Sequence, residues 1–238
     1  LTAVAEAQLS KAYLPLLDGL LGALGGRLER LEGAQLTHAE LMSRNHFDVA
    51  ARELRLDRLL ALEAGPVSVL VEVAARDAGA AASALEAALA AALADGLVTD
   101  AILASSERER AELWRVREEW AVDRVFPGGL WHDVSVPLPA LGAYVSDLRA
   151  RLARLDPALQ LFVIGHLADG NLHLTVNSDR PIGGRHGEVS AVVHEGLVAR
   201  GGAFSAEHGI GIEKQAALLK YLDPVKLELM RAVKLALD

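Results

Sequence analysis

Apolar and polar positions alternate most cleanly in the first half of the chain. After Gly65-Pro66, Val67, Val69, Val71 and Val73 alternate with Ser68, Leu70 and Glu72. This predicts a strand whose middle is apolar on both faces because of Leu70. Leu36 to Met42 and Leu97 to Leu103 read as further strands, with Val98, Asp100 and Ile102 sharing a face of the second. Residues 78–94 are mostly alanine with Leu85, Leu89 and Leu93 on one stripe, so they predict a helix laid over a sheet and stopped by Asp95-Gly96. Ser106 to Glu109 is a capping-box pattern, and Trp114, Arg117 and Ala121 are expected to share a face of the helix it opens. Leu141, Val145, Leu148 and Leu152 predict another helix, ended near Asp156-Pro157. Arg185 to Arg200 is read as a helix whose His186 and His194 are solvated or capping groups, and two amphipathic helices follow near 212–221 and 224–236. At the start, Leu1 to Val4 predicts a short strand, and Ser10 the cap of a leucine-rich helix closed by Gly25-Gly26.

The pattern changes at residues 161–176. Leu161 to Ile164 run into, and Leu172, Leu174 and Val176 alternate out of, a segment containing Asp169-Gly170, which is a strong hairpin signal. His166 and His173 edge this turn, and a short extended run, Ala203 to Ser205, later delivers Glu207 and His208 beside Gly209. Two imidazoles and a carboxylate on rigid strand ends suit a borderline metal such as zinc, with a coordination position left open. Flanking glycines let backbone approach a ligand closely. The same residues also describe a polar hairpin tip capped by its own side chains. Arg117 has no carboxylate three or four positions away on its helix. Its fork either holds a ligand carboxylate or reaches water over an apolar stem. Glu40 and Asn45, near a strand–helix boundary, read as surface or capping groups, or else as groups facing a flavin or substrate.

The order of elements predicts an α+β fold, an antiparallel sheet covered by helices mainly on one face and related to ferredoxin-like units, with room for two β-α-β-like halves. The 238 residues, 52% hydrophobic, suffice for a sizeable core. A net charge of −8 without a basic block disfavours nucleic acid and anionic membrane surfaces, and no apolar run reaches the length of a membrane span. The lack of cysteine excludes disulfides, iron–sulfur clusters and thiolate-bound metal in this chain; with no leader peptide read, a cytoplasmic location is expected. No glycine-rich phosphate fingerprint lies between a strand and a helix.

The stretch Gly165-His166-Leu167-Ala168-Asp169-Gly170-Asn171-Leu172-His173, with Ser205-Ala206-Glu207-His208-Gly209-Ile210-Gly211, resembles the paired GHxGDGNxH and SxEHGxG signature of the C-terminal domain of FAD-linked oxidases. It departs once, with Ala168 at the usual glycine. Trp114-Arg115-Val116-Arg117-Glu118 is similar to the family's WxxRE, and Asp133-Val134-Ser135-Val136-Pro137 to its DxSxP. The resemblance runs from Glu40-Leu41-Met42 to the final helix. It is nearest the D-2-hydroxyglutarate dehydrogenase branch of a family that includes D-lactate dehydrogenases and glycolate oxidase subunits.

It implies that residues 1–238 are one ferredoxin-like cap domain. FAD would be bound mainly by a separate N-terminal domain outside this sequence, in cis or as a partner chain. The implied reaction is oxidation of a D-2-hydroxy acid to a 2-oxo acid with hydride passing to FAD. His166, His173 and Glu207 would hold a divalent metal, zinc being the expected ion. Arg117 would bind the substrate carboxylate, His208 would be the general base, and Asn171 and Thr175 would contact substrate. Asp169 would orient a ligand histidine, and Lys214 would lie near flavin or substrate. Trp131 and Thr175 stand where the 2-hydroxyglutarate branch carries Lys and Asn, which sets 2-hydroxyglutarate itself in question and allows a more apolar 2-hydroxy acid, with the 2-hydroxyglutarate, lactate and glycolate types all left open. His132 is expected on the opposite face from Trp131. The alternative is a metal-stabilised structural or interaction module without redox activity. Oligomeric state is left open, a homodimer included.

Overall fold

The computed structural model describes residues 2–7, 35–62 and 65–238. The helix predicted after Ser10 lies outside them. The strands are β1 (Thr2–Ala7), β2 (Gln35–Ser43), β3 (Val67–Ala74), β4 (Val98–Leu103), β5 (Leu130–Ser135), β6 (Gln160–His166) and β7 (Asn171–Asn177). They form a seven-stranded sheet in the order β4-β1-β3-β2-β6-β7-β5. Every neighbouring pair is antiparallel. The helices are α1 (Arg44–Glu53), α2 (Asp57–Leu60), α3 (Ala78–Ala94), α4 (Glu107–Glu118), α5 (Ala121–Val125), α6 (Leu138–Leu155), α7 (His186–His194), α8 (Gln215–Tyr221) and α9 (Pro224–Leu237).

The strand order contains the same arrangement twice. β4-β1-β3-β2 is the ferredoxin-like order, and β5-β7-β6 repeats three of its strands. At the outer edge of β5, where a fourth strand would lie, there is a single bridge between Ser135 and Ala203. The extended run expected at 203–205 is reduced to that bridge. The halves join through β2 and β6, at Glu40–His166, Leu41–Gly165 and Met42–Ile164.

Strand alternation sends one set of side chains to each face. Val69, Val71, Val134, Leu172 and Leu174 meet α3, α6 and α7 in the larger core. Met42 and Leu70 meet Phe47 of α1 and Leu113 and Val116 of α4 in a second, smaller one. That is why Leu70 breaks the alternation of β3: both faces of the strand are covered there. The smaller core covers only part of the second face and leaves the β5–β7 region of that face for other uses.

Two helical expectations are corrected. Glu119 is extended, with ψ 142°, so α4 stops before Ala121, which opens α5 and does not continue the face of Arg117. Glu195 is extended, with ψ 128°, and ends the helix at His194; Gly196, with φ 76°, carries the turn on, and a short 3-10 turn (Val198–Arg200) follows. His194 is buried, not solvated, because β5, the loop after Ala203 and α8 bring His132, Phe204 and Tyr221 around it. Burial holds its pKa down at about 4. His132 lies on the core face, as alternation predicts, and burial likewise lowers its pKa to about 3.

Candidate active site

The register of the central strands places the candidate residues in rows, because directly paired residues point to the same side. Glu40, His166, Asn171 and Ser135 form one row; Met42, Ile164, His173 and Asp133 the next; Phe162, Thr175 and Trp131 the third. The hairpin between β6 and β7 keeps His166 and His173 side by side, their rings edge-on with centroids 5.7 Å apart. Two glycines make this turn. Gly170 has φ 75°, and a Cβ there would collide with the Val136 carbonyl. A Cβ at Gly165 would collide with the Asn171 carbonyl across the strand pair.

Asp133 draws the segment after Ala203 into this surface. Its Oδ2 accepts hydrogen bonds from the backbone N–H groups of Ala206 (2.9 Å), His208 (3.0 Å) and Glu207 (3.1 Å). Lys214 Nζ lies 3.2 Å from the same oxygen and donates to Ser205 Oγ at 2.8 Å. Burial alone would raise the Asp133 carboxyl, but the His208 and Ala206 amides and the Lys214 cation outweigh it and hold the pKa below the usual value. The anchored loop sets Glu207 Oε1 3.0 Å from His173 Nε2. His208 stacks on His173 at 5.3 Å, with its Nε2 3.5 Å from the same Glu207 oxygen. One ligand atom from each of Asp133, His173, Glu207 and His208 lies within 4.8 Å of the others. Burial and the nearby Arg117 lower the pKa of His173 despite Glu207 and Asp133, so its imidazole is neutral near pH 7, the form that binds metal.

The other side of the site is organised by Glu40. Its Oε1 lies 2.9 Å from His166 Nδ1, and its Oε2 accepts from Arg117 Nε (3.0 Å) and Nη2 (2.9 Å). Glu40 is therefore not a surface group, as expected from the sequence, but a buried bridge. With Nδ1 held by Glu40, Nε2 is the His166 nitrogen left for a ligand. Arg117 is buried and carries the expected guanidinium to the pocket beside His173. Asn171 and Thr175 are buried on the same face, and Asn171 Oδ1 has no hydrogen-bond partner. Asn45 is a local cap: it accepts from Ser43 Oγ and the His46 N–H and donates to the Leu161 carbonyl.

One expected role is reassigned. Asp169 accepts the Asn171 N–H at 2.9 Å and serves the turn; the carboxylate beside His173 is Asp133, 3.9 Å from Nδ1. Lys214 lines the pocket, but its amine is taken up by Asp133 and Ser205. The roles of Asp133 and Glu40 were not assigned from the sequence. DxSxP marked Asp133 without saying what it holds, and nothing local marked Glu40.

Between these groups and α4, α5 and residues 208–214 lies a pocket of about 740 Å³. It is lined by Arg117, His173, His208, Trp120, Trp131 and Ile210 among others.

Residues 27–238 match the family described as FAD linked oxidases, C-terminal domain. The chain is 38% identical over 178 residues to D-2-hydroxyglutarate dehydrogenase, mitochondrial, of Bos taurus, an alignment covering 74% of this chain and 32% of that protein. It is 32% identical over 207 residues to the Rattus norvegicus protein of the same name, covering 87% of this chain and 38% of that one. The chain thus spans about a third of the length of these curated relatives. Among solved structures, p-cresol methylhydroxylase with substrate bound superposes with a TM-score of 0.67 at 10% identity, over 100% of this chain and 50% of that one. 4-Ethylphenol oxidase from Gulosibacter chungangensis gives 0.52 at 13% identity, over 92% of this chain and 49% of that one. At these identities the likeness is one of fold.

Proposed function

The chain belongs to the C-terminal domain family of FAD linked oxidases, and on that premise we propose that it is the substrate- and metal-binding part of a flavin-dependent dehydrogenase that oxidises a D-2-hydroxy acid to a 2-oxo acid. The observation that carries this reading is the convergence of Asp133, His173, Glu207 and His208, with His173 and His208 lining the same pocket as the buried Arg117. The names of the bovine and rat relatives support the substrate class. FAD, bound mainly by a further domain in cis or in a partner chain, supplies the hydride acceptor. No described helix is long and apolar enough to cross a membrane. A cysteine-free chain suits the cytoplasm, though the bovine and rat relatives are named as mitochondrial.

The residues of this chain divide the work. Glu40 fixes the plane of the Arg117 guanidinium, and the hydrogens it does not take serve the substrate carboxylate. His208, on the anchored loop, takes the hydroxyl proton on its imidazole. His166, His173 and Glu207 would hold a divalent ion, zinc first: Glu40 orients His166, His173 is held neutral, and the Glu207 carboxylate is 3.0 Å from His173. The ligand atoms that already converge belong to Asp133, His173, Glu207 and His208, so His166 would have to swing in to join them. Such an ion would supply Lewis acidity toward the hydroxyl and carboxylate. Asn171 and Thr175 complete the face under the substrate.

The test is metal content and flavin reduction of the full-length flavoprotein. Wild type should carry near-stoichiometric metal, lost in a His166→Ala/His173→Ala variant. Arg117→Ala should keep the metal and lose activity. Unchanged substrate affinity and turnover in that variant would remove Arg117 from the site. Metal without oxidation of any 2-hydroxy acid would favour a metal-stabilised structural module.

A further inference from the structure

The pocket beside the candidate ligands has an unusual wall. Trp131 extends from β5 two residues before Asp133, so it stands on the same face as Asp133 and His173. Trp120 comes from the α4–α5 junction. The two indoles meet at 5.1 Å between centroids, tilted by 55°. Both are open to the pocket side, at 66% exposed for Trp120 and 47% for Trp131. Ile164 and Ile210 extend this apolar surface. Exposed tryptophans that pair with each other and line a concavity offer large rigid faces at low entropic cost.

The charges around the same space are equally specific. Among the described lining residues the full cations are Arg117 and Lys214. Arg117 is bound to Glu40 and shares what remains with one carboxylate; Lys214 is bound to Asp133. His46 also lines the pocket, and burial keeps it neutral at pH 7, with a pKa of about 4, while His132 turns its ring to the opposite, core face against His194. The carboxylates on the tryptophan side are Glu118, Glu119 and Asp123. Glu119 is paired with Arg115 and Arg124; among the described residues no ion pair joins Asp123 to a base, and burial pushes its carboxyl upward. A ligand carboxylate near Arg117 therefore finds a partner. A second carboxylate reaching the tryptophan wall would be desolvated among acids, with no free cation among the described lining residues.

We propose that Trp120 and Trp131 select a D-2-hydroxy acid with one carboxylate and an uncharged apolar side chain, aromatic or branched, packed on the indole pair. The inference rests on the dehydrogenase reading above and names its substrate class.

The experiment compares flavin reduction in the full-length holoenzyme by D-3-phenyllactate, D-2-hydroxy-4-methylpentanoate, D-lactate and D-2-hydroxyglutarate. The two apolar acids should exceed D-2-hydroxyglutarate in kcat/KM by at least about tenfold, the scale of apolar-contact discrimination. Trp131→Ala and, separately, Trp120→Ala should reduce the phenyllactate-to-lactate ratio of kcat/KM by about tenfold. Trp131→Lys should move the preference toward D-2-hydroxyglutarate. A wild-type preference for D-2-hydroxyglutarate, or ratios unchanged in both alanine variants, would overturn the selection while leaving the dehydrogenase reading intact. If none of the acids reduces the flavin, the dehydrogenase reading fails instead. Tryptophan fluorescence then decides the pocket's preference: quenching by phenyllactate at concentrations where hydroxyglutarate has no effect supports it, and equal or reversed quenching overturns it.

Discussion

Arg117 Nη2 lies 2.9 Å from Glu40 Oε2, and both side chains are buried. The pair holds a cation in the site before any substrate arrives. Removing one partner of a buried pair leaves the other uncompensated, which typically costs about 3–5 kcal/mol. Glu40→Ala should therefore destabilise the protein by roughly that amount, measured by urea unfolding. Glu40→Gln keeps the shape and should cost less, while still weakening His166 as a ligand. Equal stability of Glu40→Ala and wild type would show that the pair is not closed in solution.

Asp133 acts at one remove from the proposed metal. By gathering the amides of Ala206, Glu207 and His208 it fixes where Glu207 points. Asp133→Asn should lower zinc affinity by about 10–100-fold, as loss of such supporting contacts usually does. Calorimetric titration of zinc into the metal-free protein checks this. The same carboxyl has a depressed pKa in the folded state. Its contribution to stability is thus present above the unfolded value of 3.8 and is lost as pH falls through the still lower folded value.

His46 gives a pH dependence of opposite origin. It is buried with its ring 3.2 Å from the Val116 carbonyl, and burial lowers its pKa from 6.5 to about 4. Below pH 6.5 the unfolded chain takes up a proton that the folded chain refuses, so stability falls with pH until about 4. Between pH 7 and pH 5 this should cost about 2 kcal/mol. His46→Gln should remove that part of the slope in urea unfolding curves at the two pH values. His132 and His194, also held neutral by burial, add slope in the same direction and leave it in the variant.

Gly165 permits β6 and β7 to approach at the point where the two imidazoles stand. Gly165→Ala should spread the hairpin and cost about 1–3 kcal/mol, the range for forcing an extra methyl into packed structure. Zinc binding should fall with it. A variant with normal zinc affinity would mean that the strand spacing does not set the His166–His173 geometry.

Most of the architecture was legible from the pattern of residues. Alternation located the strands, alanine-rich and capped segments located the helices, and Asp169-Gly170 located the hairpin that pairs His166 with His173. What escaped was contact across distance. Glu40 is 126 residues from His166 and 77 from Arg117, and its own strand gives no hint of either. His194 looked solvated on its helix because its aromatic neighbours come from β5 and from Phe204 and Tyr221. The sequence pattern predicts too long a helix around Arg117, because the break at Glu119 is a backbone turn without glycine or proline.

The join between β2 and β6 rests on three residue pairs, and one of them is Glu40 with His166. The first half of the fold supplies Glu40 and Arg117; the second supplies both hairpin histidines, Asp133, Glu207 and His208. Since side chains alternate along a strand, sliding β2 by one residue would turn Glu40 into the apolar layer and present Ala39 or Leu41 to His166. The alignment of the two halves is thereby answerable to chemistry as well as to packing. An insertion or deletion in β2 that a purely structural sheet would absorb with a bulge would here disconnect the arginine from the histidines.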